Sequence, residues 1–243
     1  LFARPGSSND FRKLPRPLYV GATDQDAREH VLFGEPGLDD VPVSKAIQAS
    51  LSINPAFSST KIGERYYVDG AVTRTSNFTE AIRKGADLVF VLDPLVPYVS
   101  KGKAGFASRR GLLYNADQDI RTVSFTRFET ARSGVARQRP EVSIYAFLPA
   151  NRLRKVMSVN PMDHRPYLPI WRGAYLSTLQ RIHLLRHKMS GDLAAHGLFL
   201  DTGRAEAVAA RLEAAAAVRF EDFFPDGRVE IVRGVKPPRR LRL

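Results

Sequence analysis

The chain has 243 residues, no cysteine and a formal net charge of +12, with a pI near 10.2. Those figures exclude disulfides, thiolate metal sites and a cysteine nucleophile, and they favour anionic partners: phospholipid surfaces, nucleic acid or acidic substrates. A hydrophobic fraction of 44% and a charged fraction of 26% suit a globular protein with one sizeable core.

No apolar run approaches the length that spans a bilayer, so the expected location is cytoplasmic or peripheral to a membrane. The first residue is Leu1 rather than Met, which leaves an N-terminal targeting segment open. Basic residues cluster at 101–110 and 233–242, without a zinc-finger spacing or an RNA-recognition motif, so nucleic acid is not the expected partner.

Taken in order, Leu18–Thr23 and Glu29–Phe33 read as two strands joined by a polar turn, a hairpin. Pro42 opens a helix to about Leu51, with Val43, Ala46 and Ile47 on one face. Phe57–Ile62 and Arg65–Val68 flank Gly63-Glu64, a Gly-first hairpin turn. Asn77 and Glu80 have capping-box spacing before a helix that carries Phe78, Ala81 and Ile82 inward and ends at Gly85. The continuous apolar run Leu88–Leu92 predicts a strand covered on both faces. A Pro-, Gly- and Lys/Arg-rich loop precedes a long, polar, amphipathic helix from Leu112 to about Arg137, and Val142–Leu148 reads as another strand. Beyond it, helices are expected at about 170–188 and 204–217, then a late strand at 229–232. The alternation of strands and helices predicts an α/β fold. A mostly parallel sheet would hold residues 18–22, 88–92 and 142–147, with helices on both faces.

The stretch Tyr66-Tyr67-Val68-Asp69-Gly70-Ala71-Val72 stands at the centre of this pattern. Aromatic and β-branched residues form a strand, and Asp69-Gly70 ends it. Alone, Asp-Gly is a common turn signal. A carboxylate at the tip of a buried strand is also costly unless paired, and the glycine after it lets a backbone or a substrate come close.

Three pieces in order make residues 18–97 resemble the patatin-like phospholipase family. The first is the helix Val43–Leu51 with the following Ser52-Ile53-Asn54-Pro55-Ala56-Phe57. The second is Asp69-Gly70-Ala71, which is similar to the family's Asp-Gly-Gly or Asp-Gly-Ala motif. The third is Glu80–Asp87, the helix and glycine that lead into the next strand. The resemblance implies a three-layer α/β/α fold and a serine lipid acyl hydrolase with a Ser–Asp dyad. It implies Asp69 as the base, Gly70 and Ala71 as supporting motif residues, no cofactor, and a lipid or acyl-ester substrate. The chain departs from the family in having no Gly-x-Ser-x-Gly and no Gly-rich oxyanion loop. Thr73-Arg74-Thr75-Ser76-Asn77 also stands where an Asn-x-Pro pattern is usual.

The expectation is therefore the C-terminal portion of a patatin-like domain (residues 1–150), a mainly helical extension (151–232) and a basic tail (233–243). The nucleophile would lie outside this chain, on the missing N-terminal portion of the domain, and the chain alone would be inactive. The alternative is a fragment or pseudoenzyme that binds anionic lipid surfaces.

Other candidates read as structural. Ser50, Ser52, Ser58 and Ser59 precede Asp69, but none sits in a nucleophile elbow. His183 and His187 share a helix face without the carboxylate of an H-E-x-x-H site, so no metal is expected. Asp163-His164 reads as a surface loop. The 101–110 loop lacks P-loop spacing, and its charges with Phe106 suit either a solvated loop or a lipid headgroup layer.

Overall fold

The computed structural model describes residues 8–54, 56–74, 76–100, 104–158 and 166–224. The late strand expected at 229–232 and the basic tail lie outside the described residues, as do Asp163-His164 and residues 101–103. The chain divides into two compact units, Leu1–Lys84 with Arg127–Ala131, and Gly85–Thr126 with Arg132–Leu243.

The first unit is a four-stranded sheet with a helix on it. The strands are β1 (Val20–Asp24), β2 (His30–Phe33), β3 (Thr60–Ile62) and β4 (Arg65–Asp69), in the order β2-β1-β4-β3. All three pairings are antiparallel. Short connections dictate this for β1–β2 and β3–β4, since a few residues can reverse a chain but cannot carry it back to a parallel start, whereas β1 and β4 pair across the longer stretch that holds β2 and β3. Gly63 takes φ +59° in the β3–β4 turn, and the expected Gly-first hairpin forms there. At the β1–β2 turn the buried Asp24 accepts the N–H groups of Asp26 and Ala27 and pairs with Arg65 at 2.7 Å. That carboxylate sits below its usual range because of the Ala27 N–H and the Arg65 guanidinium.

Helix α1 (Val43–Ser50) lays Val43, Ala46 and Ala49 on this sheet. They join Phe11, Ala22, Phe33 and Tyr67 in one buried cluster. Phe33 and Tyr67 meet edge to face at 5.1 Å, a favoured aromatic geometry. Helix α2 (Phe78–Arg83) buries Phe78 and Ile82, and Phe78 packs on Phe128 at 5.5 Å. Gly85 follows α2 at φ +97°, the left-handed position that ends many helices. The capping box expected at its start does not form. Asn77 makes no side-chain cap bond, and the Glu80 carboxylate, held by Arg74 and Arg83, does not reach back to the Asn77 N–H.

In the second unit β5 (Leu88–Leu92) pairs with β6 (Ser143–Phe147), parallel and in full register. The long crossover between them carries α3 (Leu112–Gln138). Helices α4 (Asn151–Met157), α5 (Tyr167–Ala195) and α6 (Gly203–Ala214) follow. The fold is mixed α/β, as expected, and no helix among the described residues is long and apolar enough to cross a membrane.

Two expectations need correction. Residues 18–22 do not share a parallel ladder with 88–92 and 142–147. β1 is bonded antiparallel to β2 and β4, and β5–β6 is a separate two-stranded ladder. Nor is β5 covered on both faces. Val89 and Val91 are buried while Phe90 is 42% and Leu92 76% exposed. With β6 as its ladder partner among the described residues, β5 keeps an edge at which its apolar run is half covered.

Candidate active site

Asp69 ends β4, opposite Ala22 of the central strand. Its N–H donates to the Ser52 carbonyl at 3.1 Å, and its own carbonyl accepts from the Thr23 hydroxyl at 3.0 Å. Backbone bonds on both sides thus fix the corner before the side chain is considered. The chain then tightens into a 3-10 turn, Gly70–Val72. Asp69 Oδ1 accepts the Ala71 N–H at 2.7 Å, the way an N-cap carboxylate satisfies a first-turn donor. Gly70 is buried, and a Cβ there would lie 2.7 Å from the Gly21 carbonyl oxygen. The Asp-Gly pair is therefore both a turn and a close approach of two backbones.

The Asp69 carboxyl is half-buried. Burial pushes its pKa above the usual carboxylate value, and the Ala71 N–H offsets part of that. A raised pKa makes the carboxylate a stronger base than a solvated aspartate. We expect carbon-13 NMR of the Asp69 side chain to titrate at higher pH than the exposed aspartates. Titration at or below their value would remove burial as the source of its basicity.

Around this corner lies a polar network that the sequence reading missed. The Thr73 hydroxyl is its hub, at 2.8 Å from the Thr23 hydroxyl, 3.1 Å from His30 Nδ1 and 3.3 Å from the Gly70 carbonyl. Thr23 is fully buried. Burial, then the nearby Arg74 charge, lowers the His30 pKa, so the ring is neutral at physiological pH. Its Nε2 and Asn77 Oδ1 are both buried without a hydrogen-bond partner among the described residues. Both side chains lie over Gly21, where a Cβ would meet Asn77 at 2.4 Å and His30 at 3.0 Å. The available signal was Thr73 itself, in the loop where the chain leaves the usual Asn-x-Pro pattern.

A recess of about 190 Å³ follows the turn, lined by Thr73, Arg74, Ser76, Thr79 and Arg127 among others. A second, of about 550 Å³, belongs to the second unit and is walled by apolar side chains such as Trp171, Leu179 and Phe223. Asp69 lines neither.

The serines ahead of Asp69 are not brought to its carboxylate. Ser52 is buried, and its hydroxyl bonds the Gln48 carbonyl and the Thr60 hydroxyl, each at 2.9 Å. Among the described residues no serine hydroxyl is hydrogen-bonded to the Asp69 carboxylate. His183 lies 3.3 Å from a Glu206 carboxylate oxygen on α6, with no bond to His187.

No curated protein matches this chain. Residues 1–82 match the family model Patatin-like phospholipase, a third of the chain that takes in the whole antiparallel sheet, Asp69-Gly70-Ala71 and all but the last residue of α2, and in this region the chain is similar to a lipid acyl hydrolase family.

Proposed function

We propose that this chain is part of a patatin-like serine lipid acyl hydrolase in which Asp69 is the general base of a Ser–Asp dyad. The observation that carries the reading is a half-buried carboxylate with a raised pKa at the end of β4. It is oriented by the Ala71 N–H and lies inside the matched segment. The chain has no Gly-x-Ser-x-Gly, so the serine and the oxyanion donors belong to a segment outside these residues. The parallel β5–α3–β6 unit is read as part of a three-layer α/β/α core, with residues 1–150 as the domain portion and the helices from 151 onward as an extension.

The chemistry follows from the two carboxylate oxygens. Oδ1 is committed to Ala71, which leaves Oδ2 to accept the serine proton. The serine oxygen attacks the acyl carbonyl, and the electron pair of the carbonyl moves onto oxygen. Collapse expels the alkoxide, which takes the proton back from Asp69, leaving an acyl-enzyme. Water repeats the sequence with Asp69 again as base and releases the fatty acid. The Thr23–Thr73–His30 network holds the turn behind the carboxylate, so that it is positioned before substrate arrives.

A chromogenic fatty-acyl ester tests this. The 243-residue chain should show no hydrolysis above a heat-killed control, and a polypeptide that also carries the Gly-x-Ser-x-Gly segment should hydrolyse it. Hydrolysis by the chain alone would place the nucleophile within these residues. Its absence from the longer polypeptide would favour the lipid-binding pseudoenzyme.

A further inference from the structure

Helix α3 has a buried side and an apolar side, and the apolar side is covered by nothing among the described residues. Its inward side carries Gln118 and Arg121, both buried. Gln118 Oε1 accepts the Tyr98 N–H at 2.8 Å, and Arg121 pairs with Asp117 at 2.8 Å. At about 100° per residue, Leu112, Val123, Ala116, Ile120 and Leu113 fall in that order within an arc of about 100° on the opposite side. Leu112 and Leu113 are each 83% exposed, Ile120 58% and Val123 51%. A run of large aliphatic side chains left in water over three turns marks an interaction surface.

The charges beside it select the partner. Arg109 and Arg110 are exposed immediately before the two leucines. The Arg110 guanidinium lies 4.6 Å over the Phe106 ring and 5.8 Å from that of Tyr114, while Phe106 also packs on Tyr98 at 5.5 Å. That stacking holds a cation next to the leucine pair. Of the two carboxylates on the flanks, Asp117 is paired with Arg121 and Asp119 is exposed. Two copies of a chain with net charge +12 repel each other, whereas an anionic surface attracts both the chain and the arginines.

We propose that this face of α3 is a docking site for an anionic phospholipid bilayer. Leu112 and Leu113 enter the boundary between headgroups and acyl chains, Ile120 and Val123 lie along it, and Arg109 and Arg110 meet lipid phosphates. The choice of a lipid surface rests on the lipid-hydrolase reading, but docking needs neither Asp69 nor a nucleophile, so it is measured without turnover.

The test is co-sedimentation of the 243-residue chain with phosphatidylcholine vesicles, with and without phosphatidylserine. Leu112→Asp with Leu113→Asp should weaken binding to the anionic vesicles by about tenfold or more. Arg109→Gln with Arg110→Gln should weaken it by about tenfold and reduce its salt dependence. Leu184→Asp, at another exposed leucine on α5 (73%), should bind as the parent does. Circular dichroism of each variant should match the parent. Undiminished binding by the folded leucine variant would overturn the proposal. So would a dimer in sedimentation velocity that the same substitutions dissolve while the parent ignores vesicles, since the face would then pair with a second copy. Absence of esterase activity from the nucleophile-bearing polypeptide, with vesicle binding by this chain intact, would count against the Asp69 reading alone.

Discussion

Gly70→Ala should cost the fold about 1–3 kcal/mol, the range for forcing a methyl into a filled site. The new Cβ would lie 2.7 Å from the Gly21 carbonyl oxygen, 2.9 Å from its carbon and 3.2 Å from the Ala22 nitrogen. All three are backbone atoms of the central strand, so no side chain can swing away to make room. Relief would require β1 and β4 to separate at the Ala22–Asp69 pair. The urea midpoint should fall without a change in slope. Gly134→Ala and Gly191→Ala give the contrast. Both glycines lie inside helices with nothing within 4 Å of the added Cβ, so each should stabilise by roughly 0.4–1 kcal/mol. A Gly70→Ala protein as stable as the parent would mean that the corner tolerates a side chain and that the close approach is not needed.

Asp69→Asn should lower kcat/KM of the nucleophile-bearing polypeptide by roughly 10²–10⁴-fold, the usual worth of a positioned general base. The substitution is close to isosteric, and the new amide oxygen can still accept the Ala71 N–H, so the turn should survive. What it removes is the capacity to take a proton. Because the base acts in the chemical step, the loss should appear in kcat, with KM little changed. Stability should move in the opposite direction. Burial raises the folded pKa of Asp69 above its unfolded value, so its ionised form weighs against folding. That penalty is absent at low pH and sets in as pH rises through the window from the ordinary carboxylate value to the raised one. Above that window the Asp69→Asn variant should be as stable as the parent or slightly more so, which thermal unfolding at neutral pH would check. A drop in stability large enough to explain the lost rate would return Asp69 to the role of a turn residue.

Much of the local structure was legible because it depends on neighbours in the chain. The hairpin turn at Gly63, the helix after Pro42, the stop at Gly85 and the strands at 88–92 and 143–147 follow from turn chemistry and hydrophobic period. Partner choice was not legible. β1 pairs with β4 across an intervening stretch that holds β2, α1 and β3, a choice no local pattern announces, and an apolar run such as Leu88–Leu92 does not say how many of its faces are covered. Competition was not legible either. Asn77 and Glu80 have the right spacing for a capping box, but Arg74 and Arg83 take the Glu80 carboxylate. At the site, the Asp-Gly-Ala motif pointed to Asp69, whereas Thr23, His30 and Thr73 come from three separate elements and meet only in the fold. The outer face of α3 was legible in part: the helix reads as amphipathic from its sequence, but which of its sides is left in water emerges only when exposure is known.

The most direct measurement of the central claim is the rate at which a fluorophosphonate labels the serine of the nucleophile-bearing polypeptide, compared between the parent and Asp69→Asn. Labelling requires the serine to lose its proton but needs no acyl-chain recognition and no turnover. The account predicts complete labelling of the parent, and a rate lower by roughly 10²-fold or more for an Asp69→Asn variant with an unchanged circular dichroism spectrum. Equal labelling rates in the two proteins would show that the serine is activated by another group, and that Asp69 is not its base.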